Sequence, residues 1–201
     1  YVPTAAAMYA GDFSTTVRVG GLSDTMEGAS RPGHFDGVST VVTKLFGATR
    51  PDVAVFGEKD YQQLAIVRRL TRDLDLGVEI AGHPVVREDD GLAMSSRNRR
   101  LTDPQRRAAV CLPRAISSAI GRATTPGSTV GDVLDVARRV IDEQPLAALD
   151  YIEVFDSASL CSLRQFDGAQ RRPGAARIAI AARFGDIRLI DNADLFSTWE
   201  G

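Results

Sequence analysis

A short apolar run between two amphipathic segments constrains the fold of this chain more than any other feature. Residues 52–56 read Asp-Val-Ala-Val-Phe, and Gly57 ends the run. The flanking segments 34–49 and 59–74 repeat apolar residues every three or four positions, which is typical of helices. The run itself predicts a buried strand of a parallel sheet. With a second short strand at 78–81, the order helix, strand, helix, strand indicates an α/β unit.

The second half of the sequence predicts helices first and strands after them. A helix begins at Thr102-Asp103-Pro104 and is kinked or split at Pro113, because proline disrupts a helix interior. The pattern then predicts a helix at 130–143, followed by strands at 151–155, 177–183 and 188–190. The last two strands flank Gly185-Asp186 and predict a hairpin. We therefore expect two domains, residues 1–86 and residues 87–201.

Composition narrows the class of protein. The chain of 201 residues has 24 basic and 26 acidic side chains, so its net charge of -2 argues against a general nucleic-acid binder. It contains no apolar run near the ~18 residues that a membrane span requires. Cys111 and Cys161 match no metal-ligand spacing, and we expect both to be buried thiols in a reducing cytoplasm. The sequence predicts no metal site.

The first candidate site lies where the strand at 52–56 ends and the next helix begins. Ligands of open α/β sheets bind at the carboxyl ends of strands, and helix N-termini attract anions. Gly57 would allow a close approach, Lys59 would add a cation for phosphate, and Gln63 lies four residues further on the same helix face. The alternative is an ordinary helix start with Glu58, Lys59 and Asp60 solvated. The motif alone favours neither.

Two further segments carry polar side chains on shaped loops. In residues 91–99, Ser95, Ser96 and Arg97 are suited to phosphate oxygens, whereas the alternative is a polar linker between domains. In residues 27–35, we expect Glu27 and Arg31 to form a structural ion pair. His34 could transfer a proton, although a histidine at a helix start is more often structural.

Four segments together resemble the pantoate–beta-alanine ligase (pantothenate synthetase) family, from the first residues to about Leu195. They are residues 27–35 (EGASRPGHF), 56–63 (FGEKDYQQ), 90–98 (DGLAMSSRN) and 188–192 (RLIDN). The resemblance implies the C-terminal part of a Rossmann-like nucleotidyltransferase domain that binds ATP and pantoate. A smaller C-terminal lid domain with antiparallel strands would follow it. The resemblance also implies ATP-dependent condensation of (R)-pantoate with beta-alanine through a pantoyl adenylate, in a cytoplasmic homodimer.

The resemblance also assigns roles to single residues. Gly57, Glu58, Lys59 and Asp60 would belong to the ATP-binding segment and Gln63 would bind pantoate. Val86 would contact adenine through its backbone. The mobile phosphate-binding loop would consist of Met94, Ser95, Ser96 and Arg97. Lys59, Ser95, Ser96 and Arg97 would act in catalysis, and Mg²⁺ would be held mainly by the phosphates and water.

The sequence departs from the family pattern at its beginning. The chain starts at Tyr1 and lacks the family's glycine-histidine motif, for which His34 is no substitute because it belongs to a different motif. We therefore expect these 201 residues alone to form the adenylate slowly or not at all. Two alternatives stay open. One is a fragment of a class I aminoacyl-tRNA synthetase, against which the net charge and the Ser-Ser-Arg sequence argue. The other is an inactive remnant or dimerisation module.

Overall fold

A computed structural model of the chain describes residues 1–198. The chain divides into two compact units, Tyr1–Pro84 and Val85–Gly201. The first unit contains a parallel sheet and the second an antiparallel one. This confirms the α/β fold class that the sequence predicts.

The first unit alternates helices and parallel strands. Its elements are α1 (Ala5–Met8), α2 (Met26–Ser30), α3 (His34–Thr49), β1 (Val53–Gly57), a 3-10 helix (Glu58–Asp60), α4 (Tyr61–Asp73) and β2 (Glu79–His83). Strands β1 and β2 pair in parallel, from Val53 opposite Glu79 to Gly57 opposite His83. The predicted order helix, strand, helix, strand is therefore confirmed. Phe46 of α3 meets Phe56 of β1 edge to face, with ring centroids 6.5 Å apart.

The prediction that β1 is a buried strand is wrong: one face of the strand is exposed and the other is only half-buried. Val53 is 50% exposed and Val55 is 65% exposed. Successive side chains of a strand point to opposite faces, so these two valines share one face of the two-stranded sheet. The apolar run thus identified the strand correctly, although it could not show how each face is covered.

The second unit packs helices against a three-stranded antiparallel sheet. Its elements are a 3-10 helix (Ser96–Arg100), α5 (Asp103–Ala109), α6 (Cys111–Ala123), α7 (Val130–Asp142), β3 (Ala148–Asp156), β4 (Ala176–Phe184) and β5 (Ile187–Asp194). The strand order is β3-β4-β5, and Gly185 turns the β4–β5 hairpin at a φ of 61°. Leu112, Ile116, Val133, Ile178 and Phe184 are among the fully buried side chains of one contiguous core.

The predicted disruption near Pro113 appears as a break between α5 and α6. Val110 separates the two helices, and Pro113 then falls in the first turn of α6. Proline is tolerated there because the first backbone N–H groups of a helix have no partner within the helix.

The two cysteines differ in environment. Cys111 is buried in α6, whereas Cys161 is exposed, so the prediction of burial is wrong for Cys161. Cys161 follows a turn after β3 instead of lying within a packed element.

Among the described residues, no helix combines the length and apolar composition needed to cross a bilayer.

Candidate functional site

Residues 57–63, here called the strand-end segment, connect β1 to α4. Gly57 has φ −70° and ψ 135°, values that any residue adopts. Apart from its chain neighbours, no atom of residues 1–198 lies within 4 Å of the place where a Cβ would stand. Neither backbone conformation nor packing within this region therefore requires glycine. The residue leaves open space at the strand end, where a ligand could approach the backbone.

Glu58 turns towards the neighbouring strand. A Cβ built on Gly82 of β2 would lie 3.2 Å from Glu58 Oε1 and 3.1 Å from Arg68 Nη2. The carboxylate and the guanidinium therefore reach the same place above β2. Glu58 contributes to the packing of this strand end, a role that the sequence did not indicate.

Lys59 and Asp60 complete the turn into α4. Lys59 is half-buried in the 3-10 helix, and Asp60 is exposed. Within residues 1–198, the Asp60 side chain makes no cap hydrogen bond to the start of α4. The positive end of the dipole of this 13-residue helix therefore lies beside Lys59.

The two adjacent glutamines of α4 have different surroundings. Gln62 is buried: its Oε1 accepts from the Glu27 N–H at 3.0 Å, and its Nε2 donates to the carbonyls of Leu22 and Thr25, both at 2.8 Å. Gln63, the predicted substrate ligand, is only half-buried. Gln62 therefore holds residues 22–27, which lead into the start of α2, while Gln63 is the more accessible of the two. Apolar periodicity did not predict that Gln62 lies on the buried side of α4, where a buried amide needs partners.

The segment that Gln62 holds is under local constraint. Met26 has a φ of 44°, a left-handed conformation that L residues rarely adopt. A Cβ on Gly28 would stand 1.8 Å from the Ser23 carbonyl oxygen, so only glycine fits there. Glu27 Oε2 and Arg31 Nη1 are 4.0 Å apart, which agrees with the predicted structural ion pair. Arg31 Nη1 also lies 3.0 Å from His34 Nε2.

In the second unit, residues 94–97 form what we call the serine loop. Met94, Ser96 and Arg97 are exposed and Ser95 is half-buried, whereas Ala93 and Asn98 on either side are buried. The Met94 N–H donates to the Val86 carbonyl at 2.9 Å, which brings two predicted nucleotide-binding residues together. Ser95 Oγ accepts from the Arg97 N–H at 3.2 Å and so caps the 3-10 helix. The loop thus presents its hydroxyl and guanidinium groups from a fixed base.

A network of charged groups lies under the serine loop. Arg106 Nη2 donates to Glu88 Oε2 at 2.6 Å, and its Nη1 donates to Asp90 Oδ2 at 2.7 Å. Hydrogen bonds from Asn98 and from Arg106 lower the pKa of Glu88. Arg106 is also the main cause of the lowered pKa of Asp90. Sequence reasoning missed this network, although Asn98 belongs to a segment that it had singled out.

The structure places the predicted residues in two groups. Gly57, Lys59, Asp60 and Gln63 belong to the strand-end segment of the first unit. Val86 and the serine loop belong to the second unit. Among residues 1–198, no cluster of three or more His, Cys, Asp or Glu side chains could hold a metal ion.

Comparisons with known proteins agree on one family. The family model described as pantoate-beta-alanine ligase matches residues 1–194. A pantothenate synthetase from Trichlorobacter lovleyi is 48% identical over 198 residues, which make up 98% of this chain and 68% of that protein. A pantothenate synthetase from Paramagnetospirillum magneticum is 50% identical over 192 residues, or 96% of this chain and 65% of that protein.

Solved structures give the same result. The crystal structure of a pantothenate synthetase from Thermus thermophilus matches with a TM-score of 0.89 at 41% identity, covering 97% of this chain and 68% of that chain. A pantoate-beta-alanine ligase from Francisella tularensis, complexed with beta-gamma ATP and beta-alanine, matches with a TM-score of 0.70 at 27% identity. That match covers 96% of this chain and 63% of the other. The chain spans about two thirds of the length of these relatives.

Proposed function

The chain belongs to the pantoate–beta-alanine ligase family, and we propose that the protein joins pantoate to beta-alanine in two ATP-dependent steps. In the first step, a carboxylate oxygen of pantoate attacks the α-phosphorus of ATP, and pyrophosphate leaves. In the second, the amine of beta-alanine attacks the acyl carbon of the pantoyl adenylate, and AMP leaves as the amide bond forms. The Francisella tularensis relative is described as a complex with beta-gamma ATP and beta-alanine, which supports both co-substrates.

The serine loop is the observation that carries this proposal. Ser95, Ser96 and Arg97, whose side chains are able to donate to phosphate oxygens, lie on a short loop between the buried Ala93 and Asn98. In adenylate formation, negative charge moves onto the leaving pyrophosphate, and donors already held in place stabilise that charge. Arg97 offers a planar fork of donors and the serines offer short hydrogen bonds.

The strand-end segment is a second proposed binding segment, in the first unit. Lys59 and the start of α4 would attract the ATP phosphates, and the open space at Gly57 would admit them close to the backbone. Gln63 would hold the pantoate carboxylate for attack, because positioning accounts for much of the acceleration of such reactions. Gln62 cannot share this role, since its amide is engaged with backbone groups of residues 22–27.

Mg²⁺ would enter with the nucleotide as part of the substrate. This ion keeps several waters and is bound largely through phosphates, so it does not require a dedicated protein cage. The exposed Asp60 carboxylate beside Lys59 is of the right chemical type to bind one of those waters. The ion would neutralise phosphate charge during the first step.

The proposal also covers location and assembly. Cys111 and Cys161 are free thiols, as is usual for proteins of a reducing cytoplasm. The net charge of -2 supports small-molecule substrates over nucleic acid. We also propose a homodimer, because the family resemblance implies one. Sedimentation analysis of the purified chain tests this assembly.

Pantoate-dependent exchange of labelled pyrophosphate into ATP tests the first step directly. In the complete enzyme, Lys59→Ala should lower the exchange rate by about 10²–10³-fold while weakening pantoate binding much less. Arg99→Ala, which removes another exposed cation, is the matched control and should leave the rate unchanged. The Trichlorobacter lovleyi relative serves as the positive control.

The second candidate is an inactive module of the same family, which none of the comparisons favours. Pantoate-dependent exchange of labelled pyrophosphate into ATP separates the two candidates. A chain that binds ATP in calorimetry but exchanges no pyrophosphate would be the inactive module. A chain that binds neither ATP nor pantoate would contradict the proposed function.

A further inference from the structure

Asn98 closes the base of the serine loop. Its Nδ2 donates to the Ala93 carbonyl at 3.1 Å, and Ala93 and Asn98 are the two residues that bracket positions 94–97. The Asn98 side chain is buried, while three of the four residues between the brackets are exposed. One buried amide therefore joins the beginning of an exposed loop to its end.

The same Nδ2 atom is held from the other side by a carboxylate. It donates to Glu88 Oε1 at 2.6 Å, and Glu88 Oε2 accepts from Arg106 Nη2 at 2.6 Å. Both acceptors of Asn98 are oxygens, which fixes the orientation of its amide. Arg106 belongs to α5, so the chain of contacts runs from the loop through Glu88 to a packed helix.

A second set of bonds fixes the backbone of the loop over this base. The Asn98 N–H donates to the Ser95 carbonyl at 3.0 Å, and the Met94 N–H donates to the Val86 carbonyl. The Asn98 Oδ1 atom is buried and has no hydrogen-bond partner within residues 1–198. A buried amide with an unsatisfied oxygen is costly. The stabilising contribution of the Asn98 side chain must therefore come from the two hydrogen bonds that its Nδ2 donates.

We propose that Asn98 is a positioning residue, which holds the serine loop in the conformation that receives the ATP phosphates. The inference rests on the proposed function for its ligand, whereas the ordering of the loop stands on the contacts alone. Glu88 and Arg106 act through Asn98, because they hold its amide in place. None of the three needs to touch the substrate.

Hydrogen exchange of the free chain tests the ordering without any ligand. Asn98→Ala removes both donations, and Asn98→Asp keeps the shape but cannot donate from that position. Both should speed exchange at positions 94–98 by about tenfold or more, because at least one bond to a charged acceptor is lost. The amides of β3, β4 and β5 should stay protected, which shows that the unit remains folded. Arg99→Ala, in the same 3-10 helix, is the control and should leave the loop unchanged.

Glu88→Gln provides a second variant at a partly exposed side chain, in case the Asn98 variants fold poorly. It keeps an acceptor for Asn98 but loses the charge, so a smaller acceleration of a few fold is expected. Unchanged exchange at positions 94–98 in folded variants of both residues would overturn the proposal.

Nucleotide binding tests the role in function. Asn98→Ala should weaken ATP binding by about tenfold and leave pantoate binding unchanged, whereas Gln63→Ala should do the reverse. A wild-type chain that binds no ATP would contradict the proposed function, while the exchange experiment would still decide whether Asn98 orders the loop. Equal loss of both ligands in Asn98→Ala would show a merely structural role and overturn the positioning assignment.

Discussion

Arg87 and Asp191 form a buried, two-pronged ion pair across 104 residues of sequence. Arg87 Nη1 donates to Asp191 Oδ2 at 2.7 Å and Nη2 donates to Oδ1 at 3.0 Å. The Asp191 side chain is fully buried and that of Arg87 is 10% exposed. Arg87 Nη1 also donates to the Gly91 carbonyl at 2.8 Å. Because Asp191 lies in β5, the pair attaches the segment that leads into the serine loop to the sheet of the second unit.

Arg87→Ala should lower the free energy of unfolding of the second unit by about 3–5 kcal/mol, because it leaves a buried carboxylate without its main partner. Urea unfolding followed by circular dichroism measures this loss. The double variant Arg87→Met/Asp191→Leu removes both charges and should lose clearly less than the single variant. Equal losses in the single and double variants would contradict the account.

The two adjacent glutamines should respond oppositely to truncation. Gln62→Ala removes a buried amide that makes three hydrogen bonds, and it should lower the free energy of unfolding by about 2 kcal/mol. Gln63→Ala should change stability by less than about 0.5 kcal/mol and weaken pantoate binding instead. Chemical denaturation and calorimetric titration with pantoate measure the two effects. A destabilised Gln63→Ala would argue against its assignment as a substrate ligand.

These glutamines also show which features of the fold can be predicted from the sequence and which cannot. Apolar periodicity predicted α3 over residues 34–49, which are its observed bounds, because a helix with one buried face leaves a clear pattern. The structure places Gln62 on the buried side of α4, which apolar periodicity did not predict. Periodicity also cannot show that the partners of Gln62 are backbone groups at positions 22, 25 and 27, which are distant in sequence.

The serine loop shows the same limit within the candidate site. Its phosphate-type donors were recognisable from residue type and from the family resemblance. The support from Asn98, Glu88 and Arg106 was not, because it depends on α5 returning to the loop in space. The exposure of Val55 was missed for a related reason, since an apolar run reports the average environment of a strand and not each face.

Replacing Gly28 or Gly57 by alanine should change the stability of the protein in very different ways. In Gly28→Ala, the new Cβ would meet the Ser23 carbonyl oxygen at 1.8 Å, so we expect a loss of at least about 1–3 kcal/mol in stability. In Gly57→Ala, the Cβ enters open space at an ordinary φ, so stability should hold or rise by about 0.4–1 kcal/mol. ATP binding by Gly57→Ala should nevertheless fall. Thermal unfolding and nucleotide titration measure both effects, and unchanged ATP affinity in Gly57→Ala would contradict a close approach there.

Arg106 should make stability depend on pH in the acid range. Hydrogen bonds from Asn98 and Arg106 lower the pKa of Glu88 from an ordinary 4.5, and Arg106 lowers that of Asp90 from 3.8. A lower pKa in the folded state stabilises the protein above the unfolded pKa values, and this contribution is lost as pH falls through the folded ones.

Arg106→Gln should therefore lower stability at pH 7 by about 1 kcal/mol, a modest value because the pairs are partly exposed. Between about pH 5 and pH 3, its unfolding free energy should fall less steeply than that of the wild type. Urea midpoints at several pH values measure the slope. Some slope should persist, since Asn98 still donates to Glu88. Identical slopes in the two proteins would show that Arg106 does not set these pKa values.

The two units should differ in local stability. The core of the second unit is contiguous, with Leu112, Ile116 and Ile178 fully buried, whereas β1 of the first unit exposes Val53 and Val55. We therefore expect slow amide exchange over residues 87–195 and faster exchange over residues 1–86.

Cys111 offers an independent probe: burial raises the pKa of its thiol to about 12, so thiol reagents should modify it only when the second unit opens. The exposed Cys161 should react at once and serve as the internal control. Uniform protection across both units, or Cys111 reacting as fast as Cys161, would show that the second unit does not form the more stable core.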